Sequence, residues 1–358
     1  MGTPSGLDIR WDRYPRVADY PRAHSWLVTE TNLQRAANTI DAYGRGLEDF
    51  LSFSSRTGFH PESATREHVA LWLRDLSTRV SRRRKRIHSP NSKVLPTEQV
   101  LSNATIQQKI TAVRLFYEYL VEETVCERNP IGRGRYIRGK VVVSKQDRGI
   151  LHRLKKLPWI PSEDQWQIIL KKVRDEPLRN RFMFSLQYDC GLRREELCLL
   201  ETLDFDPAYR TIRIRAETTK SGRERIVIYS DITGLLFKDY LIHRRNISRD
   251  RGRLFLSESR RNYGQPISKW TWSKVIEGVA NRSKVYQFST HTLRHLRLTD
   301  AARAGWDTNE IADFAGHRSL DTTALYIHLS GRDLQAKLAR SMASIHAWRL
   351  SLIEETLI

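Results

Sequence analysis

The sequence predicts a mainly α chain with one small antiparallel β-sheet, divided into about two domains. Three observations carry this. The 358 residues exceed what a single core ordinarily organises. Apolar residues recur at helical spacing through most of the length. Strict alternation is confined to "YRTIRIRAE" and "RERIVIYS", two short stretches on either side of the turn "TKSG".

Residues 1–25 read as an N-terminal extension, and 26–130 as a helical domain. Residues 31–56 carry Leu33, Ala37, Ile40, Tyr43, Leu47 and Phe50 on one helical face. "TREHVALWLRDL" repeats the spacing with Val69, Trp72, Leu73 and Leu76, and "TIQQKITAVRLFYEYLVEE" with Ile106, Ile110, Val113, Tyr117 and Leu120. Three such stripes need one another, which gives a small bundle. Between the second and third lies "RVSRRRKRIHSPNSK", with Arg82, Arg83, Arg84, Lys85 and Arg86, either a solvated loop or a finger on DNA phosphates. Residues 131–158 form a basic interdomain linker with Arg133, Arg135, Arg138 and Lys140, a strap along a duplex or a flexible connector.

The second domain, 159–331, opens with "PSEDQWQIILKKV", where Ser162 caps a helix and Gln165 completes a capping box. A second helix carries Phe182, Phe184, Leu186 and Tyr188 and ends at "CGLRREELCLLETLDFD". Gly191 lets the chain turn there, and Glu196 with Leu197 falls in the next helical segment. The hairpin follows. Lys220 is the only lysine between Asp206 and Tyr229, and a lysine gives up a proton where arginine practically does not. Helices resume after Gln265. "TNEIADFAGHRSLDTTALYI" reads as a helix-turn-helix with Gly316 at the turn, or as two packed helices. In 332–358, Leu334, Leu338, Ile345, Trp348 and Leu352 recur near one helical face, a stripe that needs cover from its own domain or a neighbour's.

There are 61 Lys and Arg against 41 Asp and Glu, a net +20, which marks an anionic partner. No apolar run approaches the roughly 18 residues of a membrane span, and "MGTPSGLDIRWDRYPRV" is no signal peptide. The partner is therefore nucleic acid, in the cytoplasm. Cys126, Cys190 and Cys198 make neither a disulfide framework nor a zinc quartet and fit a reducing interior. In "HTLRHLRLTD", His291 and His295 share a helical face, as a zinc pair would. The zinc-protease form has a glutamate beside the first histidine; Thr292 stands there, and Arg294 on the same face repels a cation. Metal ranks below a packed helix or an anion site, so no metal is expected.

The order of the pieces completes the reading. Gly191-Leu192-Arg193 with Glu196-Leu197, then a lysine on a β-turn, His291-x-x-Arg294, Gly316-His317, and Tyr326 nine residues on resembles the tyrosine recombinase (phage integrase) family. The resemblance covers most of the chain. It implies a helical core-binding domain, with Lys109 also toward DNA, followed by an α+β catalytic domain. It implies Arg193, Lys220, His291, Arg294 and His317 as site residues, Tyr326 as nucleophile and Glu196 as support for the first arginine. Cys190 stands where threonine is frequent and Ala315 where leucine is usual; neither removes a reactive group.

That resemblance implies site-specific DNA cleavage through a 3′-phosphotyrosyl intermediate and a Holliday junction, without metal, ATP or any other cofactor. It implies a tetramer on double-stranded DNA recombination sites, with the final helix docked on a neighbouring protomer. Such chemistry needs donors for phosphate oxygens, because the pentacoordinate transition state gathers charge on them. It also needs help for a phenol whose ordinary pKa is about 10, and in the resembled family's manner His291 would orient the phosphate or accept that proton. The competing functions are a helix-turn-helix regulator that performs no chemistry and DNA relaxation in the manner of type IB topoisomerases.

Overall fold

Two prolines set where the first unit begins. In the computed structural model, which describes residues 9–80, 100–131, 157–329 and 347–349, Pro15 and Pro21 open helices α1 (Pro15–Asp19) and α2 (Pro21–Asn32). Proline suits the first helical turn because its missing N–H has no partner there anyway. Tyr14, Val17, Ala23, Trp26 and Leu27 are buried in the bundle core. The bundle thus starts well before residue 26, and most of the expected extension belongs to it. Leu33 caps α2 and is 61% exposed. It leaves the face of α3 (Ala37–Thr57), since the chain turns first, with Gln34 at φ 57°.

Helices α4 (Arg66–Thr78) and α5 (Asn103–Glu122) complete this unit. Phe50, Trp72, Phe116 and Tyr117 are fully buried among them, and each such ring contributes roughly 1.5–3 kcal/mol by leaving water. Gly46 brings α3 and α5 close: a Cβ there would stand 2.8 Å from that of Ala112. Asp49 on α3 accepts from Trp72 Nε1 (3.1 Å), Lys109 Nζ (2.8 Å) and Arg79 Nη1 (2.6 Å). The ammonium of Lys109, expected to face DNA, is therefore tied inside its own unit.

The chain divides into units Met1–Lys155 and Lys156–Ile358. In the second, the Ser162–Gln165 capping box forms at the start of α6 (Glu163–Arg174). Next come α7 (Leu178–Asp189), α8 (Arg194–Leu199) and the strands β1 (Phe205–Asp206), β2 (Thr211–Ile214) and β3 (Arg225–Ile228). They form one antiparallel sheet in the order β1-β2-β3, with Ile212 opposite Val227 and Ile214 opposite Arg225. Ile212, Ile214 and Val227 point into the core; Ile226 and Ile228 point out. The chain continues through α9 (Asp231–Ile247), α10 (Lys269–Arg282), α11 (Thr290–Arg303), α12 (Thr308–Ala315) and α13 (Leu320–Leu329).

Helix α9 has no counterpart in the sequence reading, which passes from the hairpin to Gln265. Its stripe is blurred: Ile232, Leu235 and Ile242 are exposed, while Thr233 and Arg244 join Phe237 and Tyr240 inside. Phe182, Phe184, Leu186, Tyr240, Phe255, Trp272 and Ile276 fill the core, so helices pack around α7. The expected contact residues Arg82, Arg83, Arg84, Lys85, Arg86, Arg133, Arg135, Arg138 and Lys140 lie outside the described residues, as does the C-terminal stripe except Trp348.

Candidate active site

Gly191 takes φ 56° after α7 and delivers Arg193 to the N-cap of α8. One turn on, Glu196 is 1% exposed. It accepts from the Arg193 backbone N–H (2.8 Å) and Arg193 Nη1 (2.7 Å), and two-fold from Arg225 of β3 at 2.8 and 3.1 Å. Burial alone would push this carboxyl up, but the Arg225 hydrogen bonds and the charges of Arg225 and Arg193 outweigh it and hold it at about 2. Arg225 Nε also donates to the Phe314 carbonyl (2.9 Å), and Arg193 Nη2 to that of Gly316 (3.3 Å). Glu196 thereby couples the first arginine to the sheet and to the end of α12.

Arg225 is absent from the sequence-predicted set, although a signal for it exists. It shares the inward register of β3 with Val227, and a charge on a core face requires a partner. Gly316 explains its approach. At φ 64° it ends α12, and a Cβ there would meet Arg225 Nη1 at 3.1 Å.

Helix α11 places Arg294 beside this network, 4% exposed. Its Nη1 donates to the Gly191 carbonyl (2.6 Å), and its Nη2 to the Ala315 carbonyl (2.6 Å) and to His317 Nε2 (3.0 Å). Because arginine only donates, Nε2 of His317 carries no proton, and Nδ1–H donates to Thr323 Oγ1 (2.9 Å). Burial, then the charges of Arg294 and Arg193, lower His317 to about 3. Burial, then Arg193, lower Arg294 to about 9, so it stays charged at pH 7. In this arrangement His317 orients Arg294. Of five guanidinium N–H groups, three are engaged by these bonds, leaving two for an anion. His291 is exposed at the start of the same helix, its pKa lowered by partial desolvation and by Arg194, Arg294 and Arg193.

Tyr326 of α13 is 3% exposed and packs with Leu298, Ala301, Ile311 and Ala315. The His317 ring lies parallel to its own, 7° apart in plane, with centroids at 6.0 Å. Its hydroxyl meets His295 Nδ1 at 3.0 Å. Burial raises its pKa, against the opposing charges of Arg294 and Arg193. His295 enters the sequence reading only as half of a metal pair; its spacing from His291 held no hint of the tyrosine, because that contact spans 31 residues. Among the described residues no group of three His, Cys, Asp or Glu side chains could hold a metal ion.

Lys220 stands apart from this cluster, exposed on the turn between β2 and β3. The turn is tethered instead through its neighbour: Arg318, next to His317, donates from Nε (3.1 Å) and Nη2 (2.6 Å) to the Ser221 carbonyl.

Comparison with known proteins places this geometry in context. Residues 161–332 match the Phage integrase family. A tyrosine recombinase XerD of Caulobacter vibrioides is 29% identical over 316 residues, covering 84% of this chain and 90% of its own. A tyrosine recombinase of Thermosipho africanus is 25% identical over 303 residues, covering 84% and 92%. The crystal structure of XerH site-specific recombinase bound to palindromic difH substrate, a post-cleavage complex, aligns with TM-score 0.65 at 17% identity, covering 94% of this chain and 90% of that one. At that identity it speaks for the fold, and the fold agrees: mainly helical, with one small antiparallel sheet. Residues 161–332 thus match the Phage integrase family, and over 84–87% of its length the chain is similar to tyrosine recombinases, which supports an enzyme of that kind.

Proposed function

We propose that this protein is a site-specific recombinase that cleaves DNA by attack of Tyr326 Oη on a backbone phosphate, leaving a 3′-phosphotyrosyl bond and a free 5′ hydroxyl. The observation that carries the reading is the meeting of Tyr326, Arg294 and His317 in one buried cluster beside Arg193. Arg193 and the two remaining N–H groups of Arg294 clamp the non-bridging oxygens. His291, at the exposed rim, orients the phosphate. Lys220 protonates the departing 5′ oxygen, its turn tethered through Ser221 to Arg318 beside His317. One oxyanion donor supplies about 3–4 kcal/mol of the roughly 8–23 that enzymes remove from a barrier, so several must act together.

The energy of the broken phosphodiester stays in the covalent link, and attack by the 5′ hydroxyl of a second duplex exchanges strands. Two such rounds through a Holliday junction, in a tetramer on paired sites, complete recombination. The basic residues 82–86, 133, 135, 138 and 140 contact the DNA backbone in this reading.

The test uses a duplex that the purified protein selects from a random-sequence library, nicked beside the cleavage position so that religation fails. The wild type is expected to trap a 3′-linked adduct in excess EDTA and without nucleotide; Tyr326→Phe is expected to trap none. Arg193→Ala and Arg294→Ala are expected to lose cleavage by 100-fold or more while keeping most DNA affinity, because phosphate contacts elsewhere hold the duplex. An adduct at wild-type yield in Tyr326→Phe, or activity that returns only with magnesium, would sink this assignment.

A further inference from the structure

We infer that His295 takes the phenolic proton of Tyr326 during strand cleavage. This deepens the reading above and rests on Tyr326 being the nucleophile. The contact with His295 Nδ1 at 3.0 Å is the only hydrogen bond the Tyr326 hydroxyl makes among the described residues. Other acceptors are occupied or distant. His317, stacked on the same ring, has both nitrogens committed, to Arg294 and to Thr323. His291 sits one turn earlier on α11, its ring centroid 6.4 Å from that of His295, toward the exposed rim. Tyr326 itself is 3% exposed, which keeps bulk hydroxide from the phenol.

The charges around His295 suit a base. His291 and Arg294 face it from its own helix, His317 from the turn before α13, and Tyr326 from α13. Burial, then His291 and Arg294, lower it to about 4, so the imidazole is neutral at pH 7. With its proton on Nε2 it presents Nδ1 as an acceptor. A scissile phosphate arriving against Arg294 offsets the positive charge that depresses this pKa and moves the imidazole toward its ordinary range near ~6.5, where a base is most effective at physiological pH.

The step balances without a co-reactant. The Oη–P bond forms while the P–O5′ bond breaks; the phenolic proton passes to His295 Nδ1, giving an imidazolium. The 5′ oxygen leaves with the electron pair of its bond and takes a proton from Lys220. In rejoining, the incoming 5′ hydroxyl gives its proton to the neutral Lys220 amine as its oxygen attacks phosphorus, the Oη–P bond breaks, and the imidazolium returns its proton to the departing tyrosine oxygen.

The closing experiment measures adduct formation on the same selected, nicked duplex from pH 6 to 9. His295→Asn keeps a polar atom near the Nδ1 position, so it holds Tyr326 but accepts no proton. It is expected to retain melting temperature and DNA affinity while forming adduct about 100-fold more slowly at pH 7. Its log rate is expected to climb about one unit per pH unit above pH 7, as the fraction of ionised phenol rises, while the wild type levels off. A substrate with a 5′-bridging sulfur, whose leaving group needs no proton, is expected to restore Lys220→Ala and leave His295→Asn slow. Should His295→Asn melt early, His295→Gln is measured in the same way. A rate within threefold of wild type, a pH profile parallel to it, or rescue by the sulfur substrate would each overturn the assignment of the base. Those results leave the nucleophile standing; an adduct in Tyr326→Phe would remove both.

Discussion

Glu196 concentrates the residue-scale physics of this site. It lies buried between two guanidinium groups, and truncating one member of such a pair leaves an uncompensated charge at a cost of about 3–5 kcal/mol. Its folded pKa of about 2 lies below the ordinary carboxylate value near 4.5. A depressed pKa contributes stability that is complete above the unfolded value and disappears as pH falls through the folded one. Two and a half pH units of such linkage amount to roughly 3 kcal/mol. Melting temperature of the wild type is therefore expected to drop between about pH 4.5 and 2, and Glu196→Gln to start lower and show a shallower loss across that window. Equal slopes in the two proteins would show that the carboxylate is not coupled to folding. Arg193, His291, Arg294, His317 and Tyr326 could be named from the sequence as site candidates because their order and spacing form a pattern. Arg225 and His295 were not, since each acquires its meaning from a partner 29 or 31 residues away.

At the scale of elements, boundaries follow local chemistry and packing follows shape. The Ser162 capping box and the Gly316 stop are readable because both act within a few residues. The close pass of α3 and α5 is not, since nothing in "AYGRGLEDF" distinguishes a glycine that admits a neighbour from one that only loosens a helix. Gly46→Val is expected to separate these helices and lower the stability of the first unit by about 1–3 kcal/mol. Gly58→Ala serves as its control: Gly58 has open space around it and suffers only from its φ of 76°. Chemical denaturation followed by the tryptophans Trp26 and Trp72 checks both; a Gly46→Val protein as stable as the wild type would refute the close-packing argument. The pair α12 and α13 did form two helices about a glycine turn, yet Tyr326 on the second faces inward against α11, where a groove-reading helix would present its side chains outward.

For the whole molecule, the net +20 governs association. Log affinity for duplex DNA is expected to fall by about 0.9 per neutralised phosphate for each tenfold rise in salt. Replacing Arg82, Arg83, Arg84, Lys85 and Arg86 by glutamine is expected to reduce that slope; an unchanged slope in a salt titration would leave the run a solvated loop. Removing residues 333–358 is expected to leave single-site binding intact and abolish two-site complexes in a gel-shift assay. A truncated protein that pairs sites normally would show the segment to be dispensable for assembly.

By itself, the sequence determined the helical class, the place of the small sheet, the strongly basic net charge, and the order of the candidate site residues, because periodicity, net charge and motif spacing are local or summed quantities. The tertiary structure alone decided that the bundle begins at the first prolines, that Lys109 is held by Asp49, that His317 accepts from Arg294, and that the second histidine of "HTLRH" meets the tyrosine. The physical reason is common to all four. A hydrogen bond requires approach to about 3 Å, and which side chains come that close depends on how helices pack, a property that no spacing along the chain contains.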